Sequence, residues 1–436
     1  MNINRRSVLG LGLGAAAVAT LAACNSGGKN DQAVAGDVPT SGTLTVWCWD
    51  PAFNIYSMNE AAKIYQKDHP DVKVKVVETP WDDIQTKLTT LAQSGKLDQL
   101  PDIFLCQNNA FQKNVINYGD AFSDLTKGGV KFDEFPPAVV GYSTVDGANY
   151  GVPFDNGTAV QALRIDYLEQ AGLTMKDFTD ISWADYIERG TQLKAKTGHA
   201  LISGQSGSSD LIMMMLQSAG GSLFDADGKP TIAKNDILLK SIDVLKQLQK
   251  AGLYVEVNSW DEYIRGFISG NHASALNGVW ILGSVQTAKD QSGKWEITNV
   301  PKLDGIDSAT NYTANGGSSW AVSAGKQPAL ANDFLKSTFA GSTQLYDTIL
   351  PKAGALANWM PAAKSDIYQE KQAFFNNTAI YAQVVDYSAK VPKNNTGAYY
   401  YEGRDAASVA MTKILKGADP TTALDEAQKT VEFAMK

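Results

Sequence analysis

The sequence predicts an α/β protein folded as two lobes, and three observations carry that expectation. At 436 residues the chain exceeds the roughly 250–300 residues at which a single hydrophobic core stops growing. Between Thr43 and Cys106 the apolar patterning reads strand, helix, strand, helix, strand, an order that lays parallel strands beneath helices. The passage Tyr150-Gly151-Val152-Pro153-Phe154-Asp155-Asn156-Gly157-Thr158 gathers glycine, proline, Asp and Asn between two long regular regions. It reads as a hinge: Gly151 and Gly157 reach backbone angles closed to other residues, and Pro153 interrupts a strand or helix. Asp155 and Asn156 supply side-chain oxygens where the chain crosses between lobes.

Composition narrows the function. A hydrophobic content of 44% with 9% aromatics is that of a globular protein and excludes wholesale disorder. The formal charge of −8 becomes −10 once Arg5 and Arg6 of the leader are discounted, and no basic stripe offers a nucleic-acid surface. Cys24, Cys48 and Cys106 are too few for a disulfide framework, and they lack metal-ligand spacing. His69, His199 and His272 lie far apart. No cofactor is called for, and no nucleophile elbow, zinc-protease helix or phosphate loop is present.

The leader, residues 1–23, starts with Arg5-Arg6 and continues as an uncharged small and apolar run from Val8 to Ala23, the pattern of a signal peptide. Its end, Leu21-Ala22-Ala23-Cys24, resembles the lipobox of bacterial lipoproteins. That resemblance implies cleavage before Cys24, lipid on its sulfur and amino terminus, and anchoring to the outer face of the bacterial cell membrane. Asn4-Arg5-Arg6-Ser7-Val8-Leu9 partly resembles a twin-arginine export signal, so both export routes stay open. Asn25 to Gly42 is rich in Ser, Gly, Asn and Asp, a flexible tether spanning roughly 20–25 Å.

From the tether onward each element has a local reason. Thr43 to Trp49 is β-branched and aromatic, a buried strand stopped by Asp50-Pro51. Ile55, Met58, Ala61, Ala62 and Tyr65 keep helical spacing. Val72, Val74 and Val76 alternate with Lys73 and Lys75 as a half-exposed strand. Ile84, Leu88 and Leu91 mark a helix, and Pro101 to Cys106 a third strand. In such sheets ligands bind beyond the carboxyl ends of strands, here at Trp49, Asp50, Trp81, Gln107, Asn108 and Asn109. Aromatic faces beside short polar groups suit a neutral polyhydroxylated ligand, since rings stack on sugars while amides and carboxylates take hydroxyls. Trp47 is expected in the core. Cys48 and Cys106 fall on strands expected to be neighbours, as two buried thiols or as a bridged pair.

The opening strand with its aromatic end, His69-Pro70-Asp71-Val72-Lys73-Val74, the Trp81 segment, Ser94-Gly95-Lys96 and Pro101-Asp102-Ile103 resemble extracellular solute-binding proteins of ABC importers, and within them the carbohydrate-binding, maltose-type group. The resemblance covers nearly all residues after the tether. It implies a periplasmic-binding-protein-like, type II fold, each lobe a mostly parallel sheet flanked by helices. It divides the chain into 43–153 plus about 318–352 for one lobe and about 154–317 plus about 353–436 for the other. Ser269 to Trp280 resembles the strand that delivers a sugar-stacking tryptophan, making Trp280 the strongest site candidate. Gly316-Gly317-Ser318 resembles the return crossing, and Pro351 to Trp359 the last one. The implied ligand contacts are Trp49, Asp50, Trp81, Gln107, Asn108, Asn109, Asp155, Asn156, Gln205, Trp280, Gly317, Ser318, Trp359, Tyr400, Glu402 and Arg404. Of the three adjacent tyrosines Tyr399, Tyr400 and Tyr401, Tyr400 is favoured. Aromatic residues that maltose-type relatives carry after the third strand are replaced here by Gln107-Asn108-Asn109, which speaks against maltodextrin.

Local signals continue to the end. Ser182 is a helix N-cap, Gly220 and Gly252 end helices, and Asp419-Pro420 starts a final amphipathic helix expected to pack on the second lobe. The function implied is capture of a carbohydrate, an oligosaccharide, in the cleft by a monomer and its delivery to membrane permease subunits. Two alternatives stay open. A secreted glycosidase would draw paired carboxylates from Asp50, Asp155 or Glu402, and a two-lobed binder could take a peptide, a polyamine or an anion instead.

Overall fold

The computed structural model describes Val34 and residues 36–155, 157–392 and 398–436. The leader, Cys24, most of the tether and Asn156 lie outside the described residues. The tether's last part lies on the body: Val34 donates its N–H to Asp124 O at 3.0 Å and packs on the adjacent core.

The first lobe opens with β1 (Gly42–Cys48), α1 (Asn54–Tyr65), β2 (Val72–Glu78), α2 (Trp81–Gln93), β3 (Ile103–Gln107) and α3 (Asn108–Tyr118). The short α4 (Pro137–Gly141) and a small hairpin of β4 (Thr144–Val145) and β5 (Ala148–Asn149) lead to β6 (Gly151–Asp155). The second lobe follows with β7 (Ala159–Arg164), α5 (Ile165–Ala171), α6 (Trp183–Thr197), β8 (Ile202–Gln205), α7 (Asp210–Ser218) and α8 (Asp236–Lys250). It continues through β9 (Tyr254–Val257), α9 (Trp260–Ile268), β10 (Ser274–Gly278), α10 (Ile281–Val285) and β11 (Trp295–Thr298). The chain then returns to the first sheet as β12 (Ser318–Val322) with α11 (Pro328–Ser337) and α12 (Thr343–Ala353). It finishes with α13 (Ile380–Ser388), α14 (Tyr400–Leu415) and α15 (Pro420–Ala434).

The first sheet has the order β2-β1-β3-β12-β6, with β1 parallel to both neighbours and β12 antiparallel to β3 and β6. Leu44, Val46, Ile103, Leu105, Val152 and Val322 face α1, α11 and α12, while Phe104, Cys106 and Ala321 face α2 and α3. Cys48 belongs to the former face and Cys106 to the latter. The period-2 pleat therefore puts the sheet between the two thiols; both are free, and a bridge is sterically closed. Burial pushes the Cys106 thiol up to about 12.

The second lobe has a sheet in which β7 is antiparallel to β10 and β11, and a separate pair in which β8 is parallel to β9. Ala273 and Ser274 donate to Ala200 and Leu201 carbonyls, joining β10 to the start of β8. Parallel pairing is thus a smaller share of this lobe than of the first. One face carries α5 to α8, α14 and α15, the other α9, α10 and α13. Local signals act as read: Ser182 accepts the Asp185 N–H within a capping box, and Asp419 accepts the Thr422 N–H at 2.9 Å ahead of Pro420. The final helix α15 packs on α14 through Leu424, Ala427 and Val431.

Within the hinge passage, Gly151–Asp155 is strand rather than loop. Pro153 lies inside β6, opposite Ser319. It is tolerated there because β6 is the edge of the sheet and needs no N–H on its outer side. The chain leaves the first sheet after Asp155, reaches Thr158, which bridges Ala314, and enters β7. Two crossings therefore run side by side. At Gly157 (φ +65°) a Cβ would collide with the Asn315 carbonyl of the returning strand, and Asn315 N donates to Gly157 O at 2.8 Å. Gly157→Ala is expected to destabilise the protein by about 2 kcal/mol through strain and clash, read as a lowered midpoint of thermal unfolding. An unchanged midpoint would mean the crossings are not packed this way.

Candidate functional site

The first wall of the cleft is made where β1, β3 and α2 end or begin. Trp49 follows β1 and is half-buried, its ring centroid 5.5 Å from that of Trp81 at the head of α2. The turn carrying Trp49 is rigid, because Asn54 Oδ1 accepts both the Trp49 and Asp50 N–H groups at 3.1 and 3.0 Å. Asp50 is committed to the same turn, accepting the Ala52 and Phe53 N–H groups. Burial raises its pKa against those bonds. Gln107 ends β3 and faces the same space, and Asn109 is half-exposed in the first turn of α3.

The second wall lies beyond β8, β9 and β10. Trp280 follows β10 and donates Nε1–H to Asn315 O at 3.0 Å, which ties its indole to the returning crossover. It packs against the cores of both lobes. Trp260, 37% exposed, stands 5.7 Å from it at a 41° tilt. Below them a pocket of about 40 Å³ is lined by Gln205, Ser208, Asp210, Tyr254, Trp260 and Asn277 among others. Its whole lining belongs to the second lobe, so it is a recess in this wall rather than the space between the lobes. Asn277 Nδ2 donates to Tyr263 Oη at 3.1 Å while its Oδ1 accepts from Asn315 Nδ2 at 2.8 Å. Burial pushes the Tyr263 phenol up to about 12.

The third component is the head of α14. Tyr401 donates to Gln107 Oε1, its ring lies 6.4 Å from Trp81, and the Arg404 guanidinium sits 4.4 Å above it. Tyr401, rather than Tyr400, thus makes the contact with the first wall, because consecutive helical residues point 100° apart. Tyr400 stands perpendicular to Tyr401, and burial pushes its phenol pKa up against the opposing charge of Arg404. Glu402 is ion-paired with Lys113.

Other expected contacts serve the crossovers instead. Asp155, 4% exposed, accepts the Ser318 hydroxyl. Asn108 accepts the Ser319 hydroxyl at 2.8 Å, and its N–H goes to Gly317 O at 3.0 Å. Asp155, Asn108, Gly317 and Ser318 therefore form a buried strut beneath the cleft. Trp359 is turned into the first-lobe core, with its Nε1–H taken by Glu134 at 2.7 Å, because the chain after α12 folds back onto that lobe. Sequence reading missed Trp260, Asp210, Tyr401 and Lys113. The strand-end rule would have reached the first two, since Trp260 follows β9 and Asp210 follows β8 within five residues. Among the described residues no cluster of His, Cys, Asp or Glu could hold a metal ion.

Two α/β lobes, joined by crossovers and each carrying a tryptophan pair, define a binding protein that takes its solute between the lobes. The chain belongs to the bacterial extracellular solute-binding protein family, whose model matches residues 60–376. It is 36% identical to a lactose-binding protein of Rhizobium radiobacter over 90% of this chain and 92% of that one. Among solved structures it resembles maltose-bound MalE3 of T. maritima, with a TM-score of 0.75 and 18% identity over 90% of this chain and 99% of that one. It also resembles an ABC transporter associated binding protein from B. animalis subsp. lactis Bl-04 in complex with beta-1,6-galactobiose, with a TM-score of 0.73 and 21% identity over 91% and 97%.

Proposed function

We propose that this protein captures a neutral carbohydrate, a lactose-like disaccharide or short oligosaccharide, in the cleft and hands it to the permease subunits of an ABC importer. The observation that carries the reading is the two tryptophan pairs, Trp49 with Trp81 on one lobe and Trp260 with Trp280 on the other. Rings on both lobes let one sugar favour the closed state by touching both. Gln107, Gln205, Asp210, Asn277 and Arg404 supply hydroxyl partners between them. The lactose-binding relative, matched along nearly its whole length, supports the same class of ligand.

The role is binding without chemistry. The three carboxylates that the sequence offered a glycosidase are engaged elsewhere: Asp50 by backbone N–H groups, Asp155 by Ser318 and Glu402 by Lys113. The lobes divide as residues 43–155 plus about 318–362, and about 158–317 plus about 363–436, acting as a monomer. Lipid at Cys24 holds the body at the outer face of the membrane; among the described residues no helix is long and apolar enough to cross one.

A thermal-shift screen against lactose, other neutral mono- and oligosaccharides, amino acids and polyamines tests the reading. A sugar at a hundredfold its Kd adds about 2.7 kcal/mol, and it should be recovered uncleaved. A shift only with amino acids or polyamines would reject carbohydrate, and cleavage would reject a pure binder. Cys24→Ala is expected to move the protein from the membrane to the soluble fraction, and persistent attachment would reject the lipid anchor.

A further inference from the structure

The head of α14 joins the lobes: Tyr401 lies beside Trp81, and an ion pair lies one residue further along the helix. The helix belongs to the second lobe through Ala406, Ala407, Ala410, Met411 and Ile414, yet its first turn reaches the first. There Tyr401 packs on the cluster of α2, α3 and β3 and bonds Gln107, and Glu402 pairs with Lys113 of α3. Lys113 Nζ also lies 5.9 Å from the Tyr399 ring centroid. Lys113 is in the second turn of α3, about 9 Å of helix beyond Gln107 at the strand end. The side chains of the pair are 31% and 23% exposed, and Glu402 Oε2 is buried with no further partner among the described residues. Such a pair is shielded from water more than an ordinary surface pair, and separating its halves leaves a poorly solvated carboxylate.

We propose that the first turn of α14 is a clasp, with the Glu402–Lys113 ion pair as its charged half, that populates the closed form before ligand arrives. Apparent affinity then depends on the Glu402–Lys113 pair through the closed population, because it scales with the fraction of molecules in the competent state. The inference rests on the cleft being the sugar site described above.

The test uses Lys113→Met, Glu402→Gln and the exchanged pair Lys113→Glu/Glu402→Lys in the full-length protein. The radius of gyration without sugar is read by X-ray scattering and lactose affinity by calorimetry, at low and high salt. Each single variant is expected to expand in the absence of sugar and to bind lactose about three- to tenfold more weakly. The exchanged pair should recover both properties to within about twofold. Wild-type affinity should fall with salt, while the singles lose that dependence. Single variants that stay compact and bind as the wild type does, or an exchanged pair that sums the two losses, would overturn the clasp. If lactose fails to bind even the wild type, the lactose reading falls while the scattering comparison still decides the clasp.

Discussion

Trp280→Ala is expected to reduce sugar affinity by about 2–4 kcal/mol, roughly thirty- to a thousandfold, and to leave the secondary structure intact. The ring lies between the two cores, is braced by Trp260, and is locked by its bond to the Asn315 carbonyl. It is therefore a pre-organised stacking surface whose removal leaves nothing rigid in its place. The bond also couples the ring to the returning crossover, so on the proposed reading one residue serves both the sugar and the hinge. Trp280→Phe keeps a ring but loses the bond, and should fall between the two, at about tenfold. Calorimetry with lactose, alongside far-UV circular dichroism, separates the cases. Unchanged affinity in Trp280→Ala would remove this residue from the site.

Asp155→Asn is expected to change how stability depends on pH. Burial lifts the Asp155 carboxyl to about 7, against the lowering effect of the Ser318 hydrogen bond, whereas an unfolded chain titrates near 3.9. The folded state therefore keeps a proton that the unfolded chain releases between these values. The stability this group contributes is complete below about pH 4, is lost as pH rises toward 7, and changes no further above that. The whole loss is on the order of 4 kcal/mol, of which about 2–3 kcal/mol falls between pH 5 and pH 8. The asparagine variant has no such loss, so its unfolding midpoint relative to wild type should rise from pH 5 to pH 8. A difference between the two proteins that is the same at every pH would mean Asp155 is not buried as a titrating group.

Much of the architecture was legible because it is written in short-range chemistry. The valine and lysine alternation of β2, the Ser182 and Asp419 caps and the leucine stripe of α8 each depend on neighbours within a turn or a strand. Trp49, Trp81 and Trp280 were legible as candidates because they follow the ends of strands. Pro153 misled because its effect depends on whether its strand is central or at the edge, and that is decided by the pairing with β12. Trp359 misled for a similar reason: its partner, Glu134, lies 225 residues away.

By itself the sequence determined the order and type of the elements, the crossing near Gly157, the export and lipidation expectation at Cys24, and the aromatic character of the cleft. Only the tertiary structure decided which polar residues brace the crossovers and which bridge the lobes. Asp155 meets Ser318 across 163 residues and Tyr401 meets Gln107 across 294. A side chain's role is set by the partner it finds at that range, and no local pattern encodes the partner.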